Sequence, residues 1–162
     1  MVAQYTPTST RSGGGIAARI LLTLLGAAGL IVGGLMDWWN GLIGTDLTGK
    51  VLYQTTFTRA DRFLTSVGAV AVALGIVAVL GLADSNGWLT RLAGAVGVVV
   101  FILFAIEGYR STSSVSAELD QIGPGAWIAL AGGLVALVGG FLGRPRVVVA
   151  GRTVRADDLD ET

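Results

Sequence analysis

Cysteine and histidine are both absent from the 162 residues of this chain. Without cysteine there is no disulfide, no thiol redox chemistry and no thiolate metal site. Without histidine the commonest metal ligand and the usual proton shuttle near neutral pH are missing. Charge is scarce as well: 11 basic and 11 acidic residues cancel, so nothing in the balance points to nucleic acid. Lys50 is the single lysine, every other basic residue being arginine.

What the chain has instead is apolar length. Hydrophobic residues make up 52% of it and glycine accounts for 25 positions, a richness more typical of transmembrane helices than of soluble ones. Four stretches, 20–36, 63–82, 88–106 and 125–143, are nearly free of charge. A hydrocarbon core of roughly 30 Å needs about 20 such residues in helical form, and helices satisfy their own backbone where lipid offers no partner. The sequence therefore predicts an all-α membrane protein, an antiparallel four-helix transmembrane bundle over 16–143, with a small β-containing extracytoplasmic loop between its first two helices. The first run exceeds a typical signal-peptide core and leads into Asp37 and two tryptophans rather than a cleavage site, so it reads as a retained span.

Around these runs the composition changes. Residues 1–15, with their threonines, serines and a glycine triplet, predict a disordered cytoplasmic tail. Asp84, Ser85, Asn86 and Gly87 form a short turn that makes the second and third helices a hairpin. Gly123 and Pro124 open the last helix, since proline at a first helical position loses no needed donor. The long loop 37–62 is expected to fold on itself as a cap. Its stretch 51–58 is dense in β-branched and aromatic residues and follows a turn at 47–50, which predicts a strand or hairpin there. In the cytoplasmic tail 144–162, a strand-turn-strand pattern around Ala150 and Gly151 precedes an acidic end.

Orientation follows from basic residues flanking the spans. With both termini cytoplasmic, the inside holds Arg11, Arg19, Arg91, Arg144, Arg146, Arg152 and Arg155, against Lys50, Arg59, Arg62 and Arg110 outside. Aromatics at Trp38, Trp39, Trp88, Tyr109 and Trp127 fall at span ends, where interfacial belts form.

Small residues recur at four-residue spacing: Gly29 and Gly33, Ala71 and Gly75, Ala93 and Gly97, and Gly132, Ala136 and Gly140. Such spacing lets helices approach closely, and it is read here as packing within the bundle in preference to a dimer face. Ionisable residues, which mark ion paths and proton relays in membranes, are essentially missing from the spans. Asp37 and Glu107 stand at span ends, and Glu107 is expected to face headgroups while pairing with Arg110 one turn on. Nothing assembles into a catalytic set. The 111–116 hydroxyl run lacks a nearby base, the glycine triplet from Gly13 lacks a phosphate loop's ending, and Glu118 and Asp120 point to different sides of a helix.

The stretch from Gly26 to Asp37 running into tryptophan, a second span opening after charged residues, and the segment 122–140 together resemble a group of small four-helix actinobacterial membrane proteins of unassigned function. The arginine-over-lysine bias with abundant Gly, Ala and Val suits a GC-rich genome of that kind. Trp39, Asn40, Gly41 and Leu42 are also similar to part of the signature of the claudin and tetraspan superfamily. There the next tryptophan is replaced by Ile43 and the paired cysteines are missing, so the resemblance implies architecture and not barrier function.

The resulting expectation is a non-enzymatic plasma-membrane protein, a structural or interaction subunit, with a small transporter or channel component as the alternative. It calls for no cofactor, no metal and no nucleic acid. Its partners are the lipid bilayer and another membrane protein, contacted through loop 37–62 by Trp38, Trp39, Tyr53 and Phe57.

Overall fold

In the computed structural model the described residues are 14–55, 57–84, 86–112 and 119–142. Helix α1 (Gly14–Gly34) leads into a short antiparallel hairpin, β1 (Asp37–Trp39) and β2 (Leu42–Ile43). Two single-turn 3-10 segments follow, Gly49–Leu52 and Phe63–Thr65, before α2 (Val67–Leu80), α3 (Trp88–Thr112) and α4 (Pro124–Phe141) complete the chain. The protein is thus mostly helical, with one two-stranded sheet. By length and apolar composition α1, α3 and α4 are each long enough to cross a membrane, whereas α2 has 14 residues. The expected N-terminal tail gives up residues 14 and 15 to α1, and the 146–155 strand-turn-strand lies outside the described residues.

Helix α1 lies against α4 and α2, α3 closes against α4 and α2, and α1 and α3 scarcely touch across the diagonal. Small residues set these spacings. A Cβ placed on Gly29 would sit 2.8 Å from the Cα of Gly132, so side chains are excluded and the backbones themselves meet. Along the same seam Gly26 faces Ala136 and Gly33 faces Ala129, the order reversing from one helix to the other, so the two run antiparallel. Ala71 approaches Gly34 of α1, and Gly75 approaches Ala27 and Ile31. Ala93 joins Ala27 and Ala78 in a small buried cluster, Gly97 rests on Leu30, and Gly140 faces Arg91.

The second apolar run does not become helix along its full length. Its first residues, Phe63–Thr65, form a 3-10 turn, and α2 begins only at Val67. Ser66 fixes that boundary: its hydroxyl donates to the Phe63 carbonyl at 2.6 Å and accepts from the Ala69 N–H at 3.1 Å. The next two unpaired amides are met from the loop, Val67 donating to the Leu47 carbonyl at 2.9 Å and Gly68 to the Gly44 carbonyl at 2.7 Å. First-turn amides have no partner within their own helix, so the loop decides where α2 starts.

The β structure in loop 37–62 is displaced from its expected position. Residues 51–58 form no strand among those described; Gly49–Leu52 is a 3-10 turn, and pairing there is limited to bridges at Leu47–Arg59 and Thr48–Ser66. The hairpin sits earlier, turning through Asn40 (φ 45°) and Gly41 (φ 81°). Positive φ at both central residues is the geometry of the two-residue hairpin turn for which Asn-Gly is the favoured sequence. The hairpin then docks on the segment ahead of α4, Asn40 N–H donating to the Gln121 carbonyl and Gly123 N–H to the Trp38 carbonyl, both at 2.9 Å. Pro124 opens α4, consistent with its missing N–H being no loss at a first turn.

Candidate functional site

Among the described residues, an aromatic cluster, a buried carboxylate and a polar groove gather at the end of the molecule where loop 37–62 covers the helices. Successive strand residues normally face opposite sides of a sheet, yet Trp38 and Trp39 are both buried, with Trp38 only 1% exposed. The pairing register slips between Asp37 and Trp39, and such an irregularity re-aims a side chain. Trp38 then donates its indole N–H to the Gly33 carbonyl at 2.8 Å, meeting one of the last carbonyls of α1. Phe104 of α3 receives both tryptophan rings edge-on, with centroids 5.2 Å from Trp38 and 5.9 Å from Trp39. Phe57 stacks on Trp39 at 4.1 Å and 19° and meets Phe104 edge-on at 6.2 Å, so the three rings form a triangle. Leu47, Val51, Val67 and Ile122 complete this core.

This packing revises the contact surface expected from the sequence. Trp38 and Trp39 are interior, and Phe57 is packed against them, so these three rings hold the cap onto the helices. Tyr53, 65% exposed, is the one of the four that stands clear. Neither tryptophan of the hairpin belongs to an aromatic belt, whereas Trp88, Tyr109 and Trp127 remain exposed on the helices.

Glu107 also departs from expectation. The carboxylate does pair with Arg110, Nη1 to Oε1 at 2.7 Å, but Glu107 is only 4% exposed and does not face outward. Its second oxygen, Oε2, accepts from the Thr55 hydroxyl at 2.9 Å. Burying a carboxylate is costly unless its oxygens are paired, and here one partner comes from the cap and the other from α3 itself. Of the hydroxyl run, Ser111 and Thr112 donate back to the Gly108 carbonyl, while residues 113–118, with Glu118, lie outside those described.

Beside this core the cap carries an open groove of about 460 Å³ lined by Thr48, Gly49, Lys50, Tyr53, Gln54, Thr58, Arg59, Asp61 and Thr65. Its walls come from the first 3-10 turn, the strand-like return at Thr58 and Arg59, and the turn before α2. Its lining thus includes two cations and one carboxylate. Sequence patterning gave no hint of it, because the lining residues are spread over 48–65 and only the Leu47–Arg59 and Thr48–Ser66 bridges bring them together.

At the opposite end Arg19 donates to the Gly81 carbonyl at 3.2 Å and to the Asp84 carbonyl at 2.6 Å, tying α1 to the end of α2. Arg91 donates to the Asn86 carbonyl at 2.6 Å and lies over the Phe141 ring. Both arginines therefore brace the α2–α3 turn. Comparison with protein-family models, with curated proteins and with solved structures finds no match to this chain.

Proposed function

We propose that this chain is a non-enzymatic integral protein of the plasma membrane that serves as a structural or interaction subunit of a membrane assembly. In this reading the helices form an antiparallel four-helix transmembrane bundle, both termini are cytoplasmic, and residues 37–62 are an extracytoplasmic cap. The observation that carries it is an inverted distribution of side-chain size. Between the helices lie Ala27, Ala78, Ala93, Ala136 and the glycine seam, with Leu30, Phe101 and Phe104 the large side chains buried among them, while Leu21, Leu25, Ile76, Leu80, Ile102, Leu134, Val138 and Phe141 are exposed. Water would drive the large residues inward. Lipid removes that drive between helices and leaves close packing of small residues to hold them together.

The tightly apposed interior counts against the transporter alternative, since direct backbone contact at Gly29 and Gly132 leaves no room for an aqueous path along that seam. Recognition falls to the cap, where a loop rests on a rigid scaffold and Tyr53 presents the exposed aromatic surface. The partner it meets is another membrane protein.

Membrane placement is tested by washing native membranes with alkaline carbonate, which leaves an integral protein in the pellet; release into the supernatant would overturn the reading. Reporter fusions at Asn86 and after Thr162 are expected to read cytoplasmic and one at Ser114 extracytoplasmic, and the opposite pattern would reverse the orientation.

A further inference from the structure

The groove beside Tyr53 has a composition that the bundle does not need for its own stability. Lys50 and Arg59 both line it, against the single carboxylate of Asp61. Among the described residues the one salt bridge is that between Glu107 and Arg110, so neither groove cation is engaged in an ion pair there. A guanidinium presents a planar fork of donors that matches phosphate oxygens, and an ammonium adds a point charge. Thr48, Thr58 and Gln54 bring further polar groups to the same walls.

A second feature says where such a phosphate comes from. The 3-10 turn that ends at Thr65, itself part of the groove wall, carries Phe63 and Leu64 outward, Leu64 being 84% exposed. Helix α2, with its 14 residues, is about 21 Å long at 1.5 Å per residue, well short of a hydrocarbon layer of roughly 30 Å. On the membrane placement proposed above, the turn at Phe63 and Leu64 continues the apolar surface of α2 toward the upper edge of the bilayer. The groove, which Thr65 helps to line, then lies near headgroup depth.

We propose that this groove holds the phosphate of an anionic phospholipid from the surrounding leaflet, with the acyl chains running down beside Phe63 and Leu64. The proposal rests on the membrane placement argued above. Arg59 and Lys50 bind the phosphate, and the excess of cation over carboxylate favours phosphatidylglycerol over a zwitterionic lipid.

The test uses the full chain extracted in mild detergent from vesicles of phosphatidylcholine and phosphatidylglycerol, with retained lipid counted by native mass spectrometry. Wild type is expected to retain phosphatidylglycerol in preference to phosphatidylcholine. The double variant Lys50→Gln, Arg59→Gln should lose about tenfold or more of that retention, as removal of charge-assisted phosphate contacts requires. Arg62→Gln, an exposed neighbour outside the groove lining, should stay within about twofold, because a screened surface charge contributes little. All three positions are solvent-facing or groove-facing, and matching thermal unfolding will show the variants folded. Equal retention by wild type and the double variant overturns the proposal, as does an equal loss in Arg62→Gln, which would reduce the effect to general surface charge. Binding of soluble glycerol phosphate with no lipid retained would assign the groove to a free phosphate and overturn the lipid source. A protein that resists carbonate yet shows no groove-dependent lipid leaves the membrane reading standing and removes this one; a protein released by carbonate removes the membrane reading itself.

Discussion

The Thr55 hydroxyl donates to Glu107 across 52 residues of sequence, 2.9 Å from Oε2, and so joins the middle of the cap to the end of α3. Arg110 on the other oxygen is 64% exposed in its side chain, so water can replace it readily. Thr55 is itself exposed, but the Oε2 it serves belongs to a residue only 4% exposed. Thr55→Val is therefore expected to destabilise the protein by about 1–2 kcal/mol, the cost of leaving a buried acceptor short of a donor. Thr58→Val, exposed like Thr55 but with no bond to Glu107, should stay within about 0.5 kcal/mol. Thermal unfolding in detergent compares the two, and equal effects would remove the special role of the contact.

Packing of α1 on α4 allows no side chain at its closest point. Gly29→Leu and Gly132→Leu should each cost about 3 kcal/mol, the upper range for overpacking, because the neighbour is backbone and cannot rotate away. Gly15→Leu meets nothing within 4 Å and should be tolerated. Unfolding midpoints of the three variants check this, and similar midpoints would mean the helices slide apart at no cost.

The two kinds of aromatic in the cap separate stability from recognition. Trp39→Ala removes a ring packed against both Phe57 and Phe104 and should cost about 3–5 kcal/mol, as for other buried aromatics. Tyr53→Ala, largely exposed, should change stability by no more than about 0.5 kcal/mol. On the proposed function it should nonetheless lose a membrane partner expected to co-purify with wild type. If Tyr53→Ala retains every partner, or wild type purifies alone from native membrane, the recognition role proposed for the cap is wrong.

At the hairpin tip, Gly41 has free space around it but a φ of 81°. Gly41→Val should lose about 1–2 kcal/mol through backbone strain alone, visible as faster hydrogen exchange at the Asn40 amide that bonds to Gln121. Unchanged exchange would show that the turn relaxes without disturbing the docking.

The helices were legible because apolar length and small-residue spacing are local properties. The turn through Asp84 and Gly87 and the start at Pro124 follow from residues that act on their own neighbourhood. Contacts made over distance were not legible. The 51–58 segment has strand composition, but its residues are drawn instead into a 3-10 turn and a return past Leu47. The shortness of α2 depends on carbonyls of Gly44 and Leu47, which no reading of the apolar run contains. Asn40 and Gly41 did carry a hairpin signal in plain view, and it outranks the β propensity of the later stretch. For Glu107, proximity to Arg110 was visible, whereas burial required knowing that Thr55 lies above it. The groove was hidden for the same reason.

The hairpin that follows α1 also has consequences for the order of assembly. Its inner connections, the indole of Trp38 on Gly33 and the carbonyls of Gly44 and Leu47 under α2, involve only the first half of the chain. Its outer edge waits for Gln121 and Gly123, which arrive just ahead of the last helix. A chain emerging from its N-terminus can thus seat α1, hairpin and α2 as one early unit, open on one side. Docking of α4 then acts as the closing step, bringing its backbone against Gly29 and sealing the hairpin edge in the same movement. A truncation before Gln121 would leave that unit with an unpaired strand edge and an uncovered glycine face, the two marks by which a quality-control protease would recognise an unfinished protein.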